Sequence, residues 1–342
     1  MAGGPGRRHG APVSAARGRE HFAAMLRELL PAAGATRGNH LVLAGAAAQA
    51  DQAQTNAAFS AKWARYAGSA EQEVLYAMQR RWYLSLYGFG SESELARFLG
   101  SRRVIFDAGC GLGYKAAWFA GLAPRALVIG MDFSQAAAQA AGRYGHLENL
   151  FFIQGDIACT SLPGDCSDYV SCDQTIMHTQ SPDATFAELR RITAPGGELA
   201  CYFYARKALP RELLDDYFRQ HCKDLSETQL WQMAEQLTEL GRRLSELAVT
   251  IDVPAVPGLG IKGGRQDLQR FIYWNFLKCF WNAELGVETS VVTNFDWYSP
   301  SNARRYTEAE VRELVRREGL SILHFHQEEA CYSGRFLKPA QA

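Results

Sequence analysis

Val104-Ile105-Phe106-Asp107-Ala108-Gly109-Cys110-Gly111-Leu112-Gly113 is the stretch on which the fold turns. A continuous apolar run ends in an acid, and glycines follow at every second position before a helical segment begins at Tyr114. The apolar run predicts a strand buried on both faces. Glycines after it let the backbone approach a ligand with no Cβ in the way. In a doubly wound sheet the first strand-to-helix turn is where the ligand crevice lies, and the helix N-terminus beyond it favours a negative group.

Outward from this turn the same kind of run recurs at residues 126–129, 150–153, 169–172 and 198–204. Helical stretches at 114–121, 134–143 and 182–193 separate several of them, the last opening on Ser181-Pro182, an N-cap followed by a first-turn proline. Strands alternating with helices predict an α/β fold with a parallel, doubly wound, Rossmann-like sheet. The alternation returns near the C-terminus. There Thr307-Glu308-Ala309-Glu310 is a capping box, a helix ends near Gly319, and residues 320–325 and 330–337 read as the closing strands.

The remaining segments read differently. Residues 1–50 are rich in Ala, Gly and Arg, with Arg7, Arg8, Arg17 and Arg19 ahead of the first acid, Glu20. This composition predicts a flexible tail; an Arg-rich, acid-poor start is also the pattern of an organelle transit peptide. Within it, Phe22, Met25, Leu26 and Leu29 have the spacing of one short helix over His21–Leu30. Residues 51–100 predict an N-terminal helical cover, with a capping box at Ser91–Glu94. Residues 101–205 and 301–342 form the predicted core. Residues 206–300 interrupt the alternation as a helical cap insertion, in which Leu230, Met233, Leu237, Leu240, Leu244 and Leu247 predict one helix packed on the body.

Composition excludes several classes. The 342 residues carry 36 Lys and Arg against 36 Asp and Glu. A dedicated nucleic-acid binder would show a basic surplus, and anionic membranes would attract one as well. No apolar run reaches the roughly 18 residues of a membrane-spanning helix. The eight cysteines contain no C-x-x-C pair, which predicts reduced thiols in a cytoplasmic protein. His324 and His326 share a strand face but lack a convincing third ligand, so no metal site is predicted.

Two nucleotide ligands compete for the glycine turn. Gly111 to Ala116 matches the G-x-G-x-x-A variant of the dinucleotide fingerprint, and Asp132 could hold ribose hydroxyls in either case, because two carboxylate oxygens match two adjacent donors. Asp107 discriminates. A carboxylate there repels a pyrophosphate and attracts an ammonium. Gly155-Asp156-Ile157 places another acidic acceptor where an adenine edge could be met. S-adenosyl-L-methionine has the matching parts: ammonium, carboxylate, ribose diol, adenine and sulfonium.

The segments FDAGCGLG, VIGMDFS, FFIQGDI, DYVSCDQTIMHT and ITAPGGELACY resemble the core of the class I S-adenosylmethionine-dependent methyltransferases, and YTEAEVRELVRREGLSIL resembles their last helix and strand. The resemblance implies a seven-stranded sheet whose last strand is antiparallel. It also implies Asp107, Gly109, Gly111 and Gly113 around the methionyl moiety, Asp132 with Phe133 at the ribose, and Asp156 with Ile157 at the adenine. Phe59-Ser60-Ala61-Lys62-Trp63 and Asn294-Phe295-Asp296-Trp297-Tyr298 resemble bacterial members that modify small molecules or glycans.

In this fold the loop Asp173-Gln174-Thr175-Ile176-Met177-His178 lies beside the transferable methyl. It lacks the [D/N]-P-P-[Y/F] of amino-directed nucleic-acid methyltransferases, and the chain has no Pro-Cys pair of the cytosine type. Nucleic acid is therefore not the predicted acceptor. His178 and Asp173 are the candidate general bases, His178 first because an ordinary His titrates near neutrality; Asp173 also belongs to the cofactor site. Lys115 either reaches the methionyl carboxylate or stays solvated. Trp63, with Tyr66, is expected to cover the cofactor, where an aromatic face attracts a sulfonium. Tyr273, Trp274, Trp297 and Tyr298 are expected to line a substrate pocket under the cap. The predicted function is methyl transfer to an O or N atom of a small-molecule or glycan-type acceptor. Its rivals are a nicotinamide-dependent oxidoreductase using the same turn and a non-catalytic binding module. The sequence assigns neither the acceptor nor an oligomeric state.

Overall fold

The computed structural model describes residues 13–31, 38–43 and 48–340, with side chains from residue 18 onward. The chain enters through α1 (Val13–Leu29), β1 (His40–Val42), α2 (Ala50–Tyr66), α3 (Gln72–Leu86) and α4 (Glu92–Gly100). The alternating core follows as β2 (Val104–Ala108), α5 (Tyr114–Leu122), β3 (Leu127–Asp132), α6 (Ala136–Arg143), β4 (Leu150–Gln154), β5 (Ser167–Cys172), α7 (Pro182–Ile192) and β6 (Thr193–Tyr204). The insertion comprises α8 (Leu209–Cys222), α9 (Glu227–Glu246), β7 (Thr250–Val253), β8 (Gly264–Asp267), α10 (Leu268–Asn275) and α11 (Val287–Tyr298). The chain closes on α12 (Glu308–Arg317), β9 (Ser321–Gln327) and β10 (Cys331–Leu337).

The central sheet has the order β1-β4-β3-β2-β5-β6-β10-β9. Pairs from β1 through β6 are parallel, and β10 runs antiparallel to both β6 and β9. Strand residues alternate between two apolar layers, as the pleat requires. Phe106, Ile129 and Val170 face the layer filled by α1, α7 and α12. Ile105, Val128 and Tyr169 face the layer filled by α3, α4, α5 and α6.

Two expectations need correction. The sheet has eight strands rather than seven, because His40, Leu41 and Val42 pair with Phe152, Ile153 and Gln154 at its edge. Residues 1–50 are also not a tail throughout. Phe22, Leu26 and Leu30 recur every fourth residue and bury one stripe of α1 against the layer holding Met131 and Ile153. Arg19, counted toward the tail, donates to the carbonyls of Gly145 and Leu147 at 2.5 and 3.2 Å. The rest of that expectation, at residues 1–12, 32–37 and 44–47, lies outside the described residues.

The insertion is helical apart from the β7–β8 hairpin. α9 opens on a full capping box, Ser226 with Gln229, and Trp231 stacks on Phe295 of α11 at 3.6 Å. Leu230 is buried in this contact, whereas Leu240 and Leu247 are exposed, so the leucine ladder packs on the body at one end only. α11 in turn lies against α2 through Lys62–Asp296 and Arg65–Glu288 ion pairs, at 2.5 and 2.7 Å. Among the described residues no helix is long and apolar enough to cross a membrane.

Candidate active site

The glycine turn is folded down onto the end of β3. The amides of Gly109 and Cys110 both donate to the Met131 carbonyl, at 2.7 and 3.0 Å. The Gly111 amide donates to Asp132 Oδ2 at 2.8 Å, and Asp132 Oδ1 accepts the Ser134 amide and hydroxyl at 2.9 and 2.6 Å. Burial holds Asp132 above the usual carboxylate range, although these bonds oppose the shift. Gly111 has φ +51°, and a Cβ there would come within 2.9 Å of the Trp63 ring. Gly113, at φ +79°, starts α5 where a Cβ would meet Ala140 and Phe152 at 2.7 Å. At both places the chain needs glycine for conformation and for space.

Above the turn lies a cavity of about 750 Å³. Of the predicted residues, Trp63, Gly109, Gly111, Asp132, Phe133, Asp156, Ile157, Asp173, His178, Tyr273, Trp274 and Trp297 line it together. The cavity therefore joins the strand ends of β2 to β5, the cover helix α2 and the insertion.

Three residues do not line it as expected. Gly113 supports the turn from behind. Asp107 is fully buried, and its two oxygens take no hydrogen bond among the described residues. Burial pushes its carboxyl up to about 6, against the pull of Lys115. Tyr298 sits in the insertion's own core, its hydroxyl donating to Asp215 at 2.9 Å and accepting the Lys278 amide at 3.2 Å. Adjacent helical residues point roughly 100° apart, so with Trp297 turned to the cavity Tyr298 must turn away.

Lys115 is not solvated, although it lines the cavity. It is buried, with Nζ 3.0 Å from Asp173 and 3.7 Å from Asp107. Burial works against its charge, yet these carboxylates outweigh it and hold the ammonium well above the usual lysine range. Asp173 also accepts the Tyr87 hydroxyl at 2.9 Å, so both its oxygens are engaged.

His178 lies in a short 3-10 turn, Ile176–His178. Its Nδ1 is 2.7 Å from the Asn302 carbonyl. A carbonyl can only accept, so Nδ1 carries the hydrogen and Nε2 is left as an acceptor. The Tyr204 hydroxyl lies 3.3 Å from Nε2, and the Phe59 ring packs edge-on at 4.8 Å. Burial lowers the His178 pKa to about 4, and its bond to Asn302 offsets only part of this.

Sequence reading missed Tyr204, Lys278 and Asp296 as cavity residues. Two carried a signal. Tyr202 and Tyr204 recur at the spacing of one strand face, and Lys278 is the one cation in the apolar run Phe276–Trp281. Among the described residues no group of three His, Cys, Asp or Glu is placed to hold a metal.

Residues 106–201 match the family model described as a methyltransferase domain. An uncharacterized methyltransferase of Schizosaccharomyces pombe is 32% identical over 106 residues, 28% of this chain and 38% of that protein. An uncharacterized protein of Synechococcus is 35% identical over 133 residues, 36% of this chain and 30% of its own length. The chain thus spans about a third of the length of these curated relatives. Among solved structures, magnesium protoporphyrin IX methyltransferase of Synechocystis, with S-adenosylmethionine bound, is 15% identical with a TM-score of 0.43, over 85% of this chain and 98% of that one. The family match begins inside β2 and ends inside β6, and so takes in the glycine turn and the ends of β3, β4 and β5: residues 106–201 are similar to a methyltransferase domain.

Proposed function

We propose that this chain transfers a methyl group from S-adenosylmethionine to an O or N atom of a small-molecule or glycan-type acceptor held beneath the insertion. One observation carries the proposal: the glycine turn, the acids at the strand ends and the aromatics of the insertion line a single covered cavity. The residues suit the cofactor. Gly111 leaves backbone exposed where a Cβ would fill the space. Asp132 keeps one lone pair, on Oδ2, for a ribose hydroxyl. Asp156 uses Oδ1 on the Ala158 amide at 2.8 Å, which leaves Oδ2 for an adenine amino group. The N-terminus of α5 favours the methionyl carboxylate. A dinucleotide fits less well, because its pyrophosphate would meet Asp132 and Asp173 in the same cavity.

The cofactor supplies a methyl already activated on a sulfonium, so the protein's work is alignment and exclusion of water. Trp63 rests on the Gly111 backbone, and α2 and α11 close over it. Asp173, with both oxygens engaged, holds Lys115 and Tyr87 in place. His178 Nε2 faces the same space as a neutral acceptor, oriented by Asn302, and can take the hydrogen bond of an acceptor hydroxyl or amine in place of that of Tyr204. Calorimetry with S-adenosylhomocysteine and with NAD tests the proposal. Binding of the first alone is expected, and binding of NAD alone would overturn it. Incubation with fractionated metabolites and S-adenosylmethionine should then yield a product heavier by one methylene unit.

A further inference from the structure

The end of the cavity formed by the insertion is rich in cations that lack matching acids. Arg211, Arg270 and Lys278 lie 5.4, 5.6 and 5.7 Å from the centroid of the Tyr273 ring. Lys207 lies 5.5 Å from the neighbouring Trp274 ring. All four face the cavity. Arg211 is neutralised by Asp215 at 2.8 Å. The other three have no ion pair among the described residues. Lys207 Nζ donates to the Ala205 and Ala330 carbonyls at 2.6 and 3.2 Å, and Arg270 reaches only the Trp281 carbonyl at 3.5 Å.

Lys278 is the extreme case. It is 6% exposed, and its ammonium has neither hydrogen bond nor ion pair among the described residues. It lies 4.3 Å from the centroid of Trp297. A cation over an aromatic face recovers part of the cost of leaving water, and an unpaired buried charge remains expensive. The acids of the cavity serve elsewhere: Asp132, Asp156 and Asp173 at the strand ends, and Asp296 bound to Lys62 at 2.5 Å. Of the other acids on α8, Glu212 takes the Lys207 amide at 2.8 Å and the Arg305 guanidinium at 2.9 Å. Burial, with Arg211 and Lys278 nearby, brings Lys207 down to about 7, so the cluster already repels its own charge.

We propose that Lys278, with Lys207 and Arg270, binds an anionic group of the methyl acceptor, a carboxylate or a phosphate, and so selects acidic small molecules. The proposal rests on the cavity being the methyl-transfer site. Tyr273, Trp274 and Trp297 line the space beside the cations and would pack the body of such an acceptor.

The test uses the full chain saturated with S-adenosylhomocysteine, titrated at constant ionic strength with sodium phosphate and separately with sodium benzoate. Tryptophan fluorescence reports binding, because Trp274 and Trp297 lie in the cluster. A saturable response to at least one probe is expected, weakened tenfold or more in Lys278→Met, since a lost charged hydrogen bond has about that effect. Lys278→Met should also melt above the wild type without anion, because it replaces an unpaired buried charge with an apolar chain of similar length. Should that variant fail to fold, Arg270→Gln and Lys207→Met carry the same expectation of weakened binding. Response to phosphate alone or to benzoate alone identifies the anionic group. A wild type that binds S-adenosylhomocysteine but answers neither probe overturns the inference and leaves the methyltransferase proposal standing, as do folded variants that respond as the wild type does. Failure to bind S-adenosylhomocysteine overturns the methyltransferase proposal itself.

Discussion

Asp132 and His178 show how differently two site residues depend on their surroundings. Asp132 joins the glycine turn to the end of β3, so its position follows from the motif that contains it. Asp132→Ala is expected to weaken S-adenosylhomocysteine binding at least tenfold by calorimetry, since a hydrogen bond to a charged group is worth about 1.5–3 kcal/mol. Unchanged affinity would remove it from the site. His178 was legible as a residue of the loop after β5, but its low pKa was not, because Asn302, Phe59 and Tyr204 come from three distant parts of the chain. Held at about 4 rather than the ordinary 6.5, His178 stays neutral in the folded protein while the unfolded chain takes up a proton. Its contribution to stability is therefore complete above pH 6.5 and is lost as pH falls toward 4, in total about 3 kcal/mol. His178→Gln should flatten the fall of stability between pH 6.5 and 4 in urea melts, and lower kcat more than it raises KM. An acid limb as steep as the wild type's would show that another group carries it. Lys278 lay beyond sequence reading for a related reason: the run around it marks burial, and only packing decides whether the ammonium finds a partner or a cavity.

Among the elements, the contact between α2 and α11 matters most to the site. The two segments read from sequence as resembling methyltransferases that modify small molecules or glycans, Phe59–Trp63 and Asn294–Tyr298, lie far apart in the chain and meet here through Lys62 and Asp296. Glu71, just beyond α2, accepts the Glu288 and Thr289 amides at 3.2 and 2.6 Å and so caps an N-terminus whose own N-cap is glycine. An acid at this end also complements the helix dipole. Glu71→Ala is expected to cost about 1–2 kcal/mol in denaturant unfolding and to speed amide exchange across Val287–Tyr298. Exchange confined to α9 would place the anchor of the roof elsewhere. The core elements were legible because long apolar runs and glycine turns repeat along 104–204, and pattern alone separates strand from helix there. β1 was not legible: three residues, His40–Val42, present too short a pattern, and what fixes them is non-local, the pairing with β4 and the packing of Leu41 in the same cluster as Phe22, Leu26 and Leu30.

Across the whole molecule, equal numbers of acids and bases conceal a separation inside one cavity. Asp132, Asp156 and Asp173 gather at the strand ends, which suits a cationic cofactor, while Lys207, Arg270 and Lys278 gather beneath the insertion. The cavity draws its walls from α2, from the sheet and from the insertion, so a ligand filling it ties all three into one cooperative unit. Anything that binds only the folded state stabilises it by mass action, about 2.7 kcal/mol at a hundred times Kd. S-adenosylhomocysteine at that level should raise the Tm by a few degrees, in a transition that includes the insertion. NAD at equal concentration should leave the melt unchanged. If S-adenosylhomocysteine shifts only the transition of the core, the insertion is not closed over the cofactor, and the acceptor must be held by the core alone.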